Sequence, residues 1–137
     1  MNHELQISLF EEDIKCTLDS ILEFCEVEFA CIHSLSDNQP FLIGQEGSMK
    51  IKPKTWSTIF DSLFKDGHHF KSTFNQSGQK IYHESFLVKN QDGKIYGVIS
   101  FLSSKEFNLN SAQVKLLDTA KISIRLILEK MDLGAYK

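Results

Sequence analysis

The chain predicts a three-layer α+β sandwich: an antiparallel sheet of about five strands, the terminal helices on one face and a middle helix on the other. Three observations carry that expectation. Apolar residues recur at helical spacing at both ends and once in the middle. The runs between them are short, β-branched or aromatic, and separated by turn residues. The stretch from Lys94 to Met131 reads as a closing strand, a capped corner and a long amphipathic helix, around which the rest can be arranged.

The first helix spans about 5–25, with Phe10, Ile14, Leu18, Ile21, Leu22 and Cys25 on one face. Leu5, Leu9 and Cys16 lie on the other side. Glu28 to Leu35 is rich in strand formers, and Phe41-Leu42-Ile43 is a short second strand after Pro40. Ser36 to Gln39 between them is turn chemistry, so the two form a hairpin. Gly44 to Lys52 reads as a loop. Pro53 then opens the middle helix, where a missing N–H is tolerated, and Trp56, Ile59, Phe60, Leu63 and Phe64 follow at helical spacing until Asp66-Gly67.

His69 to Asn75 is an edge-like strand, and Gln76-Ser77-Gly78-Gln79 is a turn. Ile81 to Lys89 pairs with the closing strand, Ile95 to Leu102, across Asn90-Gln91-Asp92-Gly93, with Gly93 in the left-handed position. Asn108 or Asn110 caps the last helix, about 110–133, and Gln113 stands three residues beyond Asn110 as in a capping box. Gly134 is its stop. Val114, Leu117, Ala120, Ile124, Ile127, Leu128 and Met131 share the face expected to cover the sheet. Ile122, Leu126 and Leu133 recur on the opposite face beside Lys115 and Glu129.

A helix that covers its own sheet with one stripe has no internal use for a second. The doubled stripes on both terminal helices therefore predict a dimer in which Leu5, Leu9, Cys16, Ile122, Leu126 and Leu133 meet a second copy.

A chain of 137 residues with 42% hydrophobic residues is expected to form one domain, residues 1–137, with a sizeable core. A net charge of −3 without like-charge runs offers no footprint for nucleic acid or an anionic membrane. No segment approaches the ~20 apolar residues of a membrane span, and the first residues lack the apolar core of a signal peptide. The expected location is cytoplasmic. Cys16, Cys25 and Cys31 make an odd count without a CxxC motif, which fits reduced thiols better than a disulfide framework.

Ile95-Tyr96-Gly97-Val98-Ile99-Ser100-Phe101, then Phe107, then Leu116-Leu117 and Ala120 resemble the closing strand and C-terminal helix of the GAF domain family, and the resemblance extends over nearly the whole chain. It implies a module that binds a small molecule or a partner, dimerises through its terminal helices and regulates an output domain. With Met1 at the start and 137 residues in all, the expectation is an output protein in trans, or a piece excised from a larger sensor.

Subfamily motifs narrow that implication. Cyclic-nucleotide-binding members carry an Asn-Lys pair and a later Phe, three residues, Asp-Glu; Phe107 matches, but Ser104-Lys105 and Ser111-Ala112 stand at the paired positions. Bilin-binding members attach the chromophore through a cysteine in the second half of the domain, and GAF-type free methionine sulfoxide reductases need redox cysteines in the loops over the pocket, whereas the last cysteine here is Cys31.

His33, His68-His69, His83 and Cys31 are of metal-ligating types but show no short ligand spacing, so no metal site or cofactor is expected. Gly44 to Gly47 lacks the Lys-Ser/Thr of a phosphate loop, and neither a nucleophile elbow nor an HExxH motif occurs. No catalytic residue is expected. Trp56, Phe60, Phe64, Phe70, Phe74 and Tyr82 are accounted for both by core packing and by an aromatic pocket under the middle helix. Trp56, His69, His83 and Tyr96 are the residues expected to border such a pocket. The function expected is non-enzymatic sensing, with a ligand-free dimeric adaptor as the first alternative and a redox enzyme of the methionine sulfoxide reductase kind as the second.

Overall fold

The computed structural model describes the backbone of residues 3–36 and 39–135 and the side chains of residues 10–35 and 39–131. The elements run α1 (His3–Cys25), β1 (Phe29–Ser36), β2 (Gln39–Gly47), α2 (Pro53–Asp66), β3 (His69–Gln76), β4 (Gln79–Lys89), β5 (Ile95–Ser103) and α3 (Ser111–Ala135). The five strands form one antiparallel sheet in the order β2-β1-β5-β4-β3. α1 and α3 pack together on one face and α2 lies across β3 and β4 on the other. This is the expected three-layer α+β arrangement.

Local chemistry explains the boundaries. The Asn110 amide donates to Gln113 Oε1 and the Gln113 amide to Asn110 Oδ1, both at 2.9 Å, a reciprocal capping box that starts α3. α2 begins with Pro53 and ends where the Gly67 amide bonds to the Leu63 carbonyl at φ 84. Ser77 and Gly78 both take positive φ, the backbone that a tight two-residue hairpin between β3 and β4 requires. Between β4 and β5 the Asn90 carboxamide accepts from the amides of Asp92 and Lys94, each at 2.9 Å.

Two boundaries and one face assignment differ from the sequence reading. β2 continues through Gly47, because residues 44–47 keep pairing with β1 after a register shift at Ile32/His33. Gly134 lies within α3 rather than stopping it. Val114 is 41% exposed rather than facing the sheet, since it sits in the first turn before α3 closes on the core.

The core of the α1/α3 face joins Ile14, Leu18, Ile21 and Cys25 of α1 to Leu117, Ala120, Ile124, Leu128 and Met131 of α3 over Ile32, Val88, Ile99 and Phe101. These are the faces that helical periodicity assigns. Gly97 lets α3 approach β5, for a Cβ there would collide with the His33 carbonyl and the Leu128 side chain. Under α2, Ile59, Phe60 and Leu63 pack on Leu87 and Val98.

On the outer side of the terminal helices Ile122 and Leu126 are 53% and 46% exposed, Phe24 is 48% exposed, and Cys16 is exposed. The side chains of Leu5, Leu9 and Leu133 lie outside the described residues. Among the described residues no helix is long and apolar enough to cross a membrane.

Candidate ligand pocket

Strand pairing fixes which side chains face α2. Ser85 of β4, Ser100 of β5 and Cys31 of β1 stand directly opposite one another, flanked by the rows His83–Leu102–Phe29 and Leu87–Val98–His33. Directly paired residues share a face, so polar side chains run in a band across the sheet beneath α2. Burying such groups is costly unless they hydrogen-bond, and here they do. Ser72 Oγ lies 2.9 Å from His83 Nδ1, His83 Nε2 lies 2.5 Å from Ser85 Oγ, and Ser85 Oγ lies 2.6 Å from Ser100 Oγ. Ser100 pairs directly with Cys31 across the strands and acts on its thiol as a hydrogen-bonding neighbour, and the Cys31 Sγ stands 3.9 Å from His33 Nδ1.

Burial sets the protonation of this band. Desolvation lowers both His33 and His83 to about 4, so both imidazoles are neutral near pH 7. It pushes the Cys31 thiol up, with the Ser100 hydrogen bond acting weakly the other way. Cys31 is therefore a protonated, closed-in thiol.

At the His33 end the band opens into a cleft of about 680 Å³ between β1, β2, the segment 48–52 and α2. Phe29, Leu42, Met49, Ile51 and Trp56 supply apolar walls, and His33, Gln45, Ser48 and Lys50 supply polar groups. That combination in a cleft of this size suits a small ligand. The His33 ring meets Trp56 and Phe60 edge-on, at centroid distances of 4.9 Å each, and Trp56 stacks on Phe60 at 5.5 Å. Gln76 Nε2 donates to the Lys50 carbonyl at 2.6 Å, tying the roof segment to β3.

A second groove, of about 550 Å³, lies on the opposite face between β3, β4 and α3. Its cations already have partners: Lys121 pairs with Asp118 at 3.6 Å, Arg125 with Glu129 at 3.5 Å, and Lys89 donates to the Gly67 carbonyl. Among the described residues the side chains of Gln45, Ser48 and Lys50 in the cleft under α2 have no such partners, which makes it the better candidate.

The structure divides the four pocket residues expected from sequence. Trp56 lines the cleft, and His83 lies on the same face inside the polar band. His69 is on the opposite face, stacked on Phe86 at 5.4 Å with Nε2 3.5 Å from the Glu84 carboxylate. Tyr96 packs with the α1/α3 core beneath Lys94. The four therefore do not border one pocket.

Several contributors were not singled out: Gln45, Ser48, Met49, Lys50, Ile51, Ser85 and Ser100. The signal for the serines was present, because Cys31-x-His33 and His83-x-Ser85 are spaced by two on strands. Counting back from the Asn90–Gly93 turn brings Ser85 within one residue of Ser100, and the register shift at Val88/Lys89 then sets the two directly opposite. Among the described residues no three of His, Cys, Asp and Glu gather into a group able to hold a metal ion.

The architecture, a five-stranded antiparallel sheet with a cleft between it and a single middle helix, defines a class of small α+β modules. Comparison with solved structures places the fold among GAF domains. The chain superposes on the GAF domain of a two-component sensor histidine kinase from Bacillus halodurans with a TM-score of 0.66 at 13% identity, over 90% of this chain and 97% of that one. For the GAF domain of an Acinetobacter phosphoenolpyruvate-protein phosphotransferase the TM-score is 0.63 at 10% identity, over 97% of each chain. For a type II free methionine-R-sulfoxide reductase from Thermoplasma acidophilum it is 0.67 at 11% identity, over 91% of this chain and 96% of that one. No family model matches the sequence, and no curated protein does. The chain has a GAF-like fold.

Proposed function

We propose that the protein is a non-enzymatic sensory module that binds a small molecule in the cleft under α2 and signals occupancy through a helix-mediated homodimer. The observation that carries this reading is the cleft itself, walled by Trp56 and reached by the neutral imidazole of His33. An adaptor without a ligand would have no use for such a space, and filling it with side chains would add stability. A ligand there touches β1, β2 and α2, and β1 carries α1 on its other face. Closure of the cleft can thus bias the set of the terminal helices.

The positions of the cysteines support a role other than thiol redox catalysis. Cys31 is the one cysteine on the cleft side; its thiol is buried and its pKa raised, the reverse of an activated nucleophile. Cys25 packs in the core on the far side of the sheet.

The exposed Ile122 and Leu126 supply the seam for a second copy. The expected partners are a second copy of the chain, the ligand, and an output protein in trans, with cytoplasmic location. Native mass spectrometry of the protein purified from its own cells tests both halves together. The expected spectrum is a dimer carrying a non-covalent adduct that collisional activation releases. A bare monomer, unchanged by incubation with a metabolite extract, would overturn the proposal.

A further inference from the structure

The hydrogen-bond band beneath α2 has a property that its individual contacts do not. Each of its members, Ser72, His83, Ser85, Ser100, Cys31 and His33, carries one exchangeable proton when neutral, and each has a neighbour on both sides of it in the row, except at the two ends. A row of single-proton groups is fully satisfied in two ways only, with every donor pointing one way or every donor pointing the other. A mixed arrangement leaves two donors, or two acceptors, facing each other in a buried site.

In the first sense the Ser72 hydroxyl donates to His83 Nδ1, His83 Nε2–H to Ser85, Ser85 to Ser100, Ser100 to the Cys31 sulfur, and the Cys31 thiol to His33 Nδ1. His33 Nε2 then carries a proton. In the opposite sense His33 Nδ1–H donates to Cys31 and each bond downstream reverses, ending at Ser72, so that His33 Nε2 is a bare acceptor. Both histidines are Nε2–H in the first sense and Nδ1–H in the second.

We propose that these six groups act as one reversible hydrogen-bond chain, set by the group that a flat nitrogen heterocycle in the cleft presents to His33 Nε2 and delivered to Ser72 on the edge strand β3. An acceptor on the ligand selects the first sense and a donor selects the second. The heterocycle class follows from the aromatic rings of Trp56 and Phe29 that line the cleft with His33. Conversion balances protons: His33 Nε2 releases one to the cleft, each group passes one to the next, and the partly buried Ser72 takes one from water. No charge is left in the sheet. The chain links the cleft at β1 to the far edge of the sheet without moving a strand.

This inference rests on the proposed ligand cleft only for what sets the direction. Its test is the tautomer of His33 and of His83, read from ring-nitrogen shifts in protein labelled with isotopic histidine. In the free wild type the two tautomers should match. Quinoline, a ring acceptor, should hold both histidines as Nε2–H, and indole, a ring donor, should hold both as Nδ1–H. In Ser100→Ala, which cuts the row at its centre, the same probes should switch His33 alone. Unlike tautomers in the free wild type, or a His83 that ignores a switch at His33, would overturn the chain. Matching tautomers with no response of His33 to either probe would overturn ligand control and count against the cleft itself, while leaving the two-sense row standing.

Discussion

The His33 imidazole and the Trp56 indole meet edge to face, with centroids 4.9 Å apart and planes at 62°. Trp56 is the single tryptophan of the chain, so its emission reports directly on His33. Burial lowers His33 to about 4, and protonation there would place a cation against the indole ring. Trp56 emission should therefore fall in a step as the pH drops through about 4, before the unfolding transition when that is held off by a stabilising osmolyte. In His33→Phe the step should vanish. A step of unchanged size in the variant would assign the quenching to another group.

Stability should carry the same signature. His33 and His83 are both held below the ordinary histidine value of 6.5, at about 4, by desolvation. Between those values the unfolded chain binds protons that the folded chain refuses, so their contribution is complete above 6.5 and is lost as the pH falls toward 4. Each histidine accounts for about 1.4 kcal/mol per pH unit inside that window. Urea midpoints measured at pH 7 and pH 5 should show a marked loss in the wild type and a clearly smaller one in a His33→Phe, His83→Gln double variant.

Helical and strand periodicity made most of the fold legible in the sequence, because each element meets the core on a single face. Ile14, Leu18, Ile21 and Cys25 of α1 and the stripe from Leu117 to Met131 of α3 are buried as their spacing requires. The capping box at Asn110 and Gln113 is a local device and needs no tertiary information. The candidate site was much less legible. Its polar band is held by pairing between strands far apart in the chain, and the row becomes visible only once the register of β1, β5 and β4 is known. His69 and Tyr96 look like pocket residues by type, yet the two-residue alternation of β3 sends His69 to the other face, and the register shift at Val88/Lys89 takes Tyr96 out of step with Val98 and Ser100, so that it joins the α1/α3 core. The end of β2 was missed because Gly44-Gln45-Glu46-Gly47 has turn composition and is recruited into the sheet by its pairing with β1.

The thiols should separate by reactivity. Cys16 is exposed, whereas Cys25 and Cys31 are buried. A soluble disulfide reagent should modify one thiol in the native protein and three after unfolding. Local desolvation first, and then Glu12 with its carboxylate 3.7 Å from the sulfur, raise the Cys16 thiol above its ordinary value, so Glu12→Gln should speed the modification. Rapid reaction of two or more thiols in the folded protein would contradict the burial of Cys25 or Cys31.

The outer stripe of α3 gives a prediction about assembly. Burying Ile122 and Leu126 of two copies against each other is worth several kcal/mol at ~25 cal/mol per Å², before the cost of association. Leu126→Glu places a charge in that seam without touching Leu117, Ile124 or Leu128, so it should yield a folded monomer with an unchanged circular dichroism spectrum. It should also make Cys16 react faster if the seam covers α1 as well. Sedimentation decides the first point: a monomeric wild type at micromolar concentration, or a dimeric variant, would show that this stripe serves another purpose.

The central claim is that the cleft under α2 holds a small molecule, and a titration of Trp56 emission with a panel of flat heteroaromatic compounds tests it most directly. The account predicts saturable changes for members of the panel that offer a hydrogen-bonding ring atom. Their affinity should be about tenfold lower in His33→Leu, the loss expected for one hydrogen bond in a closed site. Emission that changes only in proportion to concentration, or saturable binding that His33→Leu leaves untouched, would contradict it.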